Sequence, residues 1–202
     1  CRGVERYDLP ESLVTTPIPL GRTLPRAMTG VNRYVTERFD HRYYSEQLFD
    51  RFAARAVTDT DVHLHHTPGY LRTLRAGNQA RRRTVVKATT EYAVSCYHRI
   101  AAEHERLGLH PPKSATEQRR IDAQKQTLEE CDEILAVSSF VRDSLVDGGF
   151  SADRISVTPL GIDTAEYPTS ETTPERPFTV LYIGSVTIAK GIPYLLDAWE
   201  RN

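Results

Sequence analysis

The chain has 202 residues, 39% of them apolar and 26% charged, the balance of a globular protein with room for one large or two small domains. Its net charge of −1 gives no general electrostatic pull toward nucleic acid or anionic membrane, and no apolar run approaches the ~18 residues of a membrane-spanning helix. The cysteines Cys1, Cys96 and Cys131 form no CxxC and are odd in number, which suits a reducing cytoplasm, and nothing reads as a signal peptide.

Residues 1–30 are rich in Pro and Gly and show no period; Leu13 to Leu20 is a candidate edge strand interrupted by prolines. Residues 31–57 read as a helix, with Tyr44, Leu48, Phe52 and Ala56 recurring every fourth position. Thr58-Asp59-Thr60 breaks it. Asp61 to His66 is a strand candidate followed by a Thr67-Pro68-Gly69 turn. A helix starts at Tyr70 and ends at Gly77-Asn78, and Arg81-Arg82-Arg83 is a basic, solvated turn. Thr84 to Thr90 is the next strand, and a helix from Val94 to Leu107 is closed by Gly108 and Pro111-Pro112. Thr116 to Glu130 is a polar surface helix. Glu133 to Val137 is a strand, Ser138-Ser139 an N-cap, Phe140 to Val146 a helix ended by Gly148-Gly149, and Ile155 to Val157 a short strand.

Residues 164–177 are polar, hold three prolines and lack a period, so they read as a linker. Phe178 to Ile183 then reads as a buried strand ended by Gly184. Lys190-Gly191 opens a last helix with Pro193 in its first turn. Ile192, Leu195, Leu196 and Trp199 form one apolar face, expected to pack on a sheet. Alternating strands and helices imply an α/β fold with parallel sheets covered on both faces. Such folds bind ligands beyond the carboxyl ends of their strands.

Four places invite a chemical reading. The loop from Gly184 to Gly191 joins a strand to a helix N-terminus. Free N–H groups and a dipole charge of about +0.5 there suit an anion, and Lys190 adds a full charge. His63 and His65 share one face of their strand while His66 faces the other, too few on a side for the three or four ligands of a zinc site. His65 and His66 therefore read as lining a cleft at the strand end or as ordinary packing. Asp59-Thr60-Asp61 precedes its strand and reads as a helix stop, and Glu91 stands at the carboxyl end of its strand, where it can meet a hydroxyl. No G-x-G-x-x-G follows any strand, which argues against a nicotinamide enzyme.

The run CDEILAVSSFVRDSLVDGGFSADRISVTPLGID, then a polar crossover, then FTVLYIGSVTIAKGIPYLLDAW resembles the group-one (family four) retaining glycosyltransferases of the GT-B fold. The resemblance rests on the CD-x-I-x-x-x-S-x(6)-L segment, the P-x-G-I-D end of the first domain and the G-x(5)-K-G opening of the second. It runs weakly back to about residue 46. It implies two Rossmann-like domains: an acceptor-side domain over residues 1–163, a linker over 164–177 and the start of a donor domain over 178–202. The chain then reads as a segment of a longer protein that carries part of the active site and is inactive alone.

The resemblance implies transfer of a sugar from a nucleotide-sugar donor to a glycan, lipid-linked or small-molecule acceptor, with retention at the anomeric carbon. It implies no metal and no cofactor; the net charge argues against a nucleic-acid partner, the cysteines suit a cytoplasmic protein, and Arg81-Arg82-Arg83 reads as a solvated turn or as a weak, peripheral attraction to a membrane face presenting a lipid-linked acceptor. Gly184, Ser185, Lys190 and Gly191 would hold the donor diphosphate, Lys190 and Glu91 would be catalytic, and His65 and His66 would face the acceptor. The chain departs from the family at three positions: Ser185 where many members carry Arg, Leu160 where Asn is usual, and Glu91 where a His often stands. Ser185 and Glu91 are the features favouring the alternative, a non-catalytic nucleotide-sugar-binding or regulatory module with the same fold.

Overall fold

The computed structural model describes residues 41–57, 60–110, 117–166 and 179–201. Helix α1 (His41–Ala53) leads into strand β1 (Val62–His65). Then come α2 (Leu71–Gln79), β2 (Arg83–Ala88), α3 (Ala93–Arg106), α4 (Glu117–Glu130), β3 (Glu133–Ala136), α5 (Ser139–Asp147) and β4 (Ile155–Val157). Helix α6 (Ile192–Glu200) ends the described chain. The strands form one parallel sheet in the order β1-β2-β3-β4. Leu64 stands level with Val85, Val86 with Ile134, and Ala136 with Val157. The Rossmann-like α/β alternation expected from the sequence is present, each strand within two residues of its predicted ends.

The sheet centre explains itself from composition. Thr84, Val85, Val86 and Ala88 of β2 are all buried, the near-continuous pattern of a parallel strand covered on both faces. Val86, Ala88, Ile134, Ala136 and Ile155 meet Leu74 of α2, Leu128 of α4, and Val141 and Leu145 of α5. Each fully buried large side chain there contributes about 1.5–3 kcal/mol. Coverage of both faces fails at the edge: Val62 and Leu64 of β1 are 51% and 60% exposed. Ser138 caps α5 as expected, its side chain accepting the Val141 N–H at 3.3 Å. Asp132 bridges the amino ends of β2 and β3 by accepting the Thr84 N–H at 2.7 Å.

Four expectations are corrected. Gly77-Asn78 does not end α2, which runs to Gln79. The missing side chain at Gly77 serves packing instead: a Cβ there would lie 3.1 Å from Thr84 Cγ2 and 3.4 Å from His63 Nδ1. Lys190-Gly191 does not open the last helix directly. Ile188–Lys190 is a 3-10 turn, and Gly191 at φ +72° turns the chain into α6, a left-handed conformation suited to glycine.

The buried strand predicted over 178–183 is not formed in its described part, 179–183. No described strand pairs with it, and Leu181 and Ile183 are 77% and 85% exposed. A parallel strand is held by its neighbours, and among the described residues this apolar run joins none. For the same reason the expected apolar face of α6 lies open: Leu195, Leu196 and Trp199 are exposed and only Ile192 is buried. Residues 1–40, Asp59, Pro111-Pro112 and 167–178 lie outside the described residues, and with them the Leu13–Leu20 strand, the start of the first helix, most of the linker and Phe178.

Candidate functional site

The carboxyl end of β2 is where chemistry gathers. Tyr92 anchors the segment leaving that strand: its backbone N–H donates to Ser144 Oγ at 3.0 Å, and its buried ring packs edge-on against Phe150, 5.2 Å between centroids. Glu91, immediately before it, is thereby held at the strand end. Its carboxylate forms an ion pair with the Arg99 guanidinium of α3. Arg99 also lies over the Phe140 ring at the start of α5, 5.4 Å from its centroid, a favourable cation–π geometry.

Across from this pair, the turn at 188–191 packs on α3. The two walls enclose a cavity of about 280 Å³. Glu91, Arg99 and Glu103 line one side, and Ala189, Gly191 and Tyr194 the other. Two of the predicted site residues, Glu91 and Gly191, thus meet in one cleft. Lys190 is exposed on the turn between Ala189 and Gly191. The backbone N–H groups of Lys190 and Gly191 donate within the turn, to Thr187 O at 3.1 Å and Ile188 O at 2.9 Å. What this loop offers an anion is therefore the Lys190 ammonium rather than those two amides.

Gly184 and Ser185 stand in an exposed turn outside the cavity walls. The Tyr182 hydroxyl donates to the Ser185 carbonyl at 2.9 Å, and a Cβ at Gly184 would meet that hydroxyl oxygen at 2.8 Å. On the α3 side, Glu103 pairs with Arg106 at 2.7 Å, and Arg106 sits over the Tyr194 ring at 5.0 Å. Arg106, then the Tyr194 hydroxyl, hold the Glu103 carboxyl below its usual range. Cys96 lines the cavity too, and burial, then the charge of Glu117, push its thiol up, away from the thiolate form a nucleophile needs.

The histidines part company. His65 is 6% exposed. Desolvation, then the neighbouring His63 ring 5.0 Å away, depress its pKa to about 4 against the opposing pull of Asp50. His66 is exposed beyond the strand end. A second cavity of about 280 Å³ opens beside that end, between Gly69, Tyr70, Glu46 and Arg120, and neither histidine is among its lining residues. Among the described residues no group of three or more His, Cys, Asp or Glu is placed to hold a metal. Arg81–Arg83 lie at the opposite, amino end of the strands, where Arg83 pairs with Glu133 at 2.7 Å.

Sequence reasoning missed Arg99, Tyr194 and Asp50. Arg99 follows Glu91 by eight residues, two helical turns on, a spacing that signals proximity only once the helix start is fixed. The family model for Glycosyltransferase Family 4 matches residues 12–166; the match ends before the 179–191 loop. No curated protein matches the chain closely enough to count as a relative. No described helix is long and apolar enough to cross a membrane.

Proposed function

The chain belongs to the Glycosyltransferase Family 4 group, and from that we propose that it moves a sugar from a nucleotide-sugar donor to an acceptor with retention at the anomeric carbon. Residues 1–163 would form the acceptor-side domain, 164–177 the crossover and 178–202 the start of the donor domain. The observation that carries the reading is the shared cavity: Glu91 at the end of β2 and Arg99 of α3 line it opposite Ile188, Ala189 and Gly191 of the turn. In this reading Lys190 neutralises the departing diphosphate as the glycosidic bond to it breaks, and so stabilises the transition state more than the ground state. The Glu91 carboxylate orients an acceptor hydroxyl. Gly184, Ser185 and Gly191 shape the loop. The acceptor is a glycan, a lipid-linked saccharide or a small molecule, met in the cytoplasm or at its membrane face, and no metal or cofactor takes part.

The test is Lys190→Ala in the intact protein. Donor kcat/KM should fall at least about tenfold, roughly 1.4 kcal/mol of transition-state stabilisation; unchanged kinetics would remove Lys190 from the site. A second reading, a non-catalytic donor-binding module, is favoured by the neutral Ser185 and by the engagement of Glu91 with Arg99. Nucleotide-sugar binding without transfer or hydrolysis would select it.

A further inference from the structure

A departing nucleoside diphosphate carries more than one negative charge, yet the loop from Thr179 to Gly191 holds a single Lys or Arg, Lys190. We infer that Arg99 is the second diphosphate-binding cation of this protein, contributed by α3 across the cleft in place of a cation at position 185. The inference rests on the donor-site reading above.

The guanidinium lines the same cavity as Ala189 and Gly191. It is reachable, with 58% of its side chain exposed, while the Glu91 carboxylate behind it is only 14% exposed. Phe140 lies under the guanidinium, its ring centroid 5.4 Å away, a stacking contact that limits the Arg99 rotamers. A guanidinium suits this task because its planar N–H fork matches pairs of phosphate oxygens. The Glu91 carboxylate, another paired-oxygen anion, holds the position on Arg99 that a phosphate would take. Among the lining residues Arg99 faces the acids Glu91 and Glu103, the second already matched by Arg106, so donor binding exchanges one anion for another on Arg99.

Arg99 as a bare prop for Glu91 would make a different prediction. Loss of either partner would then impair the site in the same way. As a diphosphate ligand, Arg99 and its competitor Glu91 act in opposite directions.

The experiment is calorimetric titration of the intact protein with UDP, GDP and ADP, each beside its monophosphate. Wild type should bind at least one diphosphate more tightly than its monophosphate. Arg99→Ala should weaken that diphosphate about tenfold, the effect of one charge-assisted contact, and shift the monophosphate less than about twofold. Arg99→Lys should recover part of the loss, and Glu91→Gln should tighten diphosphate binding by removing the competitor. Arg99→Ala leaving diphosphate binding intact while Lys190→Ala abolishes it would overturn the assignment of Arg99 alone. Equal weakening by Glu91→Gln and Arg99→Ala would overturn it too, since a prop and its partner behave that way. No binding of any diphosphate by wild type would overturn the donor reading and this inference with it.

Discussion

The buried carboxylate of Asp50 in α1 accepts the backbone N–H of Thr73 in α2 at 2.9 Å. Its other oxygen accepts the Arg72 N–H at 3.0 Å, and the Thr73 hydroxyl donates to the first at 2.8 Å. A helix N-terminus at the carboxyl end of a parallel strand is an anion site by geometry. At α2 the chain fills that site with its own carboxylate, so a phosphate finds no vacancy beside β1. In the proposed reading anion binding falls instead to Arg99 of α3 and to Lys190 of the turn that packs against it.

Asp50→Ala should destabilise the protein by about 2–4 kcal/mol, since it removes a helix cap and strands buried donors. Asp50→Asn keeps an acceptor but loses the charge facing the helix dipole, and should cost about half as much. Urea unfolding of the three proteins measures this. A loss under about 0.5 kcal/mol for the alanine variant would mean that water or a rearranged α1 caps α2 equally well.

Gly148 limits the site from behind. A Cβ there would lie 2.6 Å from Cδ1 and 2.9 Å from Cε1 of Tyr92, a ring already wedged against Phe150. The backbone at Gly148 is right-handed, φ −74°, so the obstacle is the ring and not the backbone. Gly148→Ala should cost about 1–3 kcal/mol of overpacking. Because Tyr92 adjoins Glu91, turnover should fall as well. A thermal melt beside steady-state kinetics separates the two effects; a wild-type melting temperature with reduced turnover would show that the ring moves freely and that the damage is confined to Glu91.

The first four strands and their helices are legible because each carries its own signal: a β-branched run such as Thr84 to Val86, a cap such as Ser138, a stop such as Gly148. The run over 179–183 misleads because Val180 to Ile183 has the composition of a buried strand while strand formation depends on a neighbour, which local sequence does not encode. Gly77 misleads for a related reason. Glycine marks both helix ends and close packing, and only the position of Thr84 decides between them. Lys190, Glu91 and Gly191 stand out from motif and topology. Arg99 does not, because its role depends on the distance between α3 and a turn almost ninety residues later.

Acid should weaken the fold through His65. Its pKa falls from 6.5 to about 4 on folding, so the unfolded chain binds the extra proton between those values, and stability is full above pH 6.5 and lost as pH falls toward 4. From pH 7.5 to pH 5 this single group removes about 2 kcal/mol. His63, also depressed by burial, acts in the same direction. The depressed carboxylates, Glu103 and Glu130, contribute below this window. The difference in unfolding free energy between pH 7.5 and pH 5 should therefore shrink by about 2 kcal/mol in His65→Gln. An unchanged difference would mean that His65 gains a proton as easily folded as unfolded.

Ser185 offers a rescue. Its side chain is exposed, and the contact that shapes its turn uses its backbone carbonyl, so an arginine fits there without disturbing Tyr182. Ser185→Arg places a cation on the donor loop itself. If Arg99 already supplies the second cation, the gain in wild type should be small, under about threefold in donor affinity, because one diphosphate offers few oxygens to a third cation. In the Arg99→Ala background the same substitution should restore about tenfold. That strong non-additivity is the mark of two residues sharing one ligand, since independent sites add within about 0.3–0.5 kcal/mol. Titration of the four proteins with the diphosphate that wild type binds measures it. Equal gains in both backgrounds would show positions 99 and 185 acting on different parts of the donor, and Arg99 would then be no substitute for the missing loop cation.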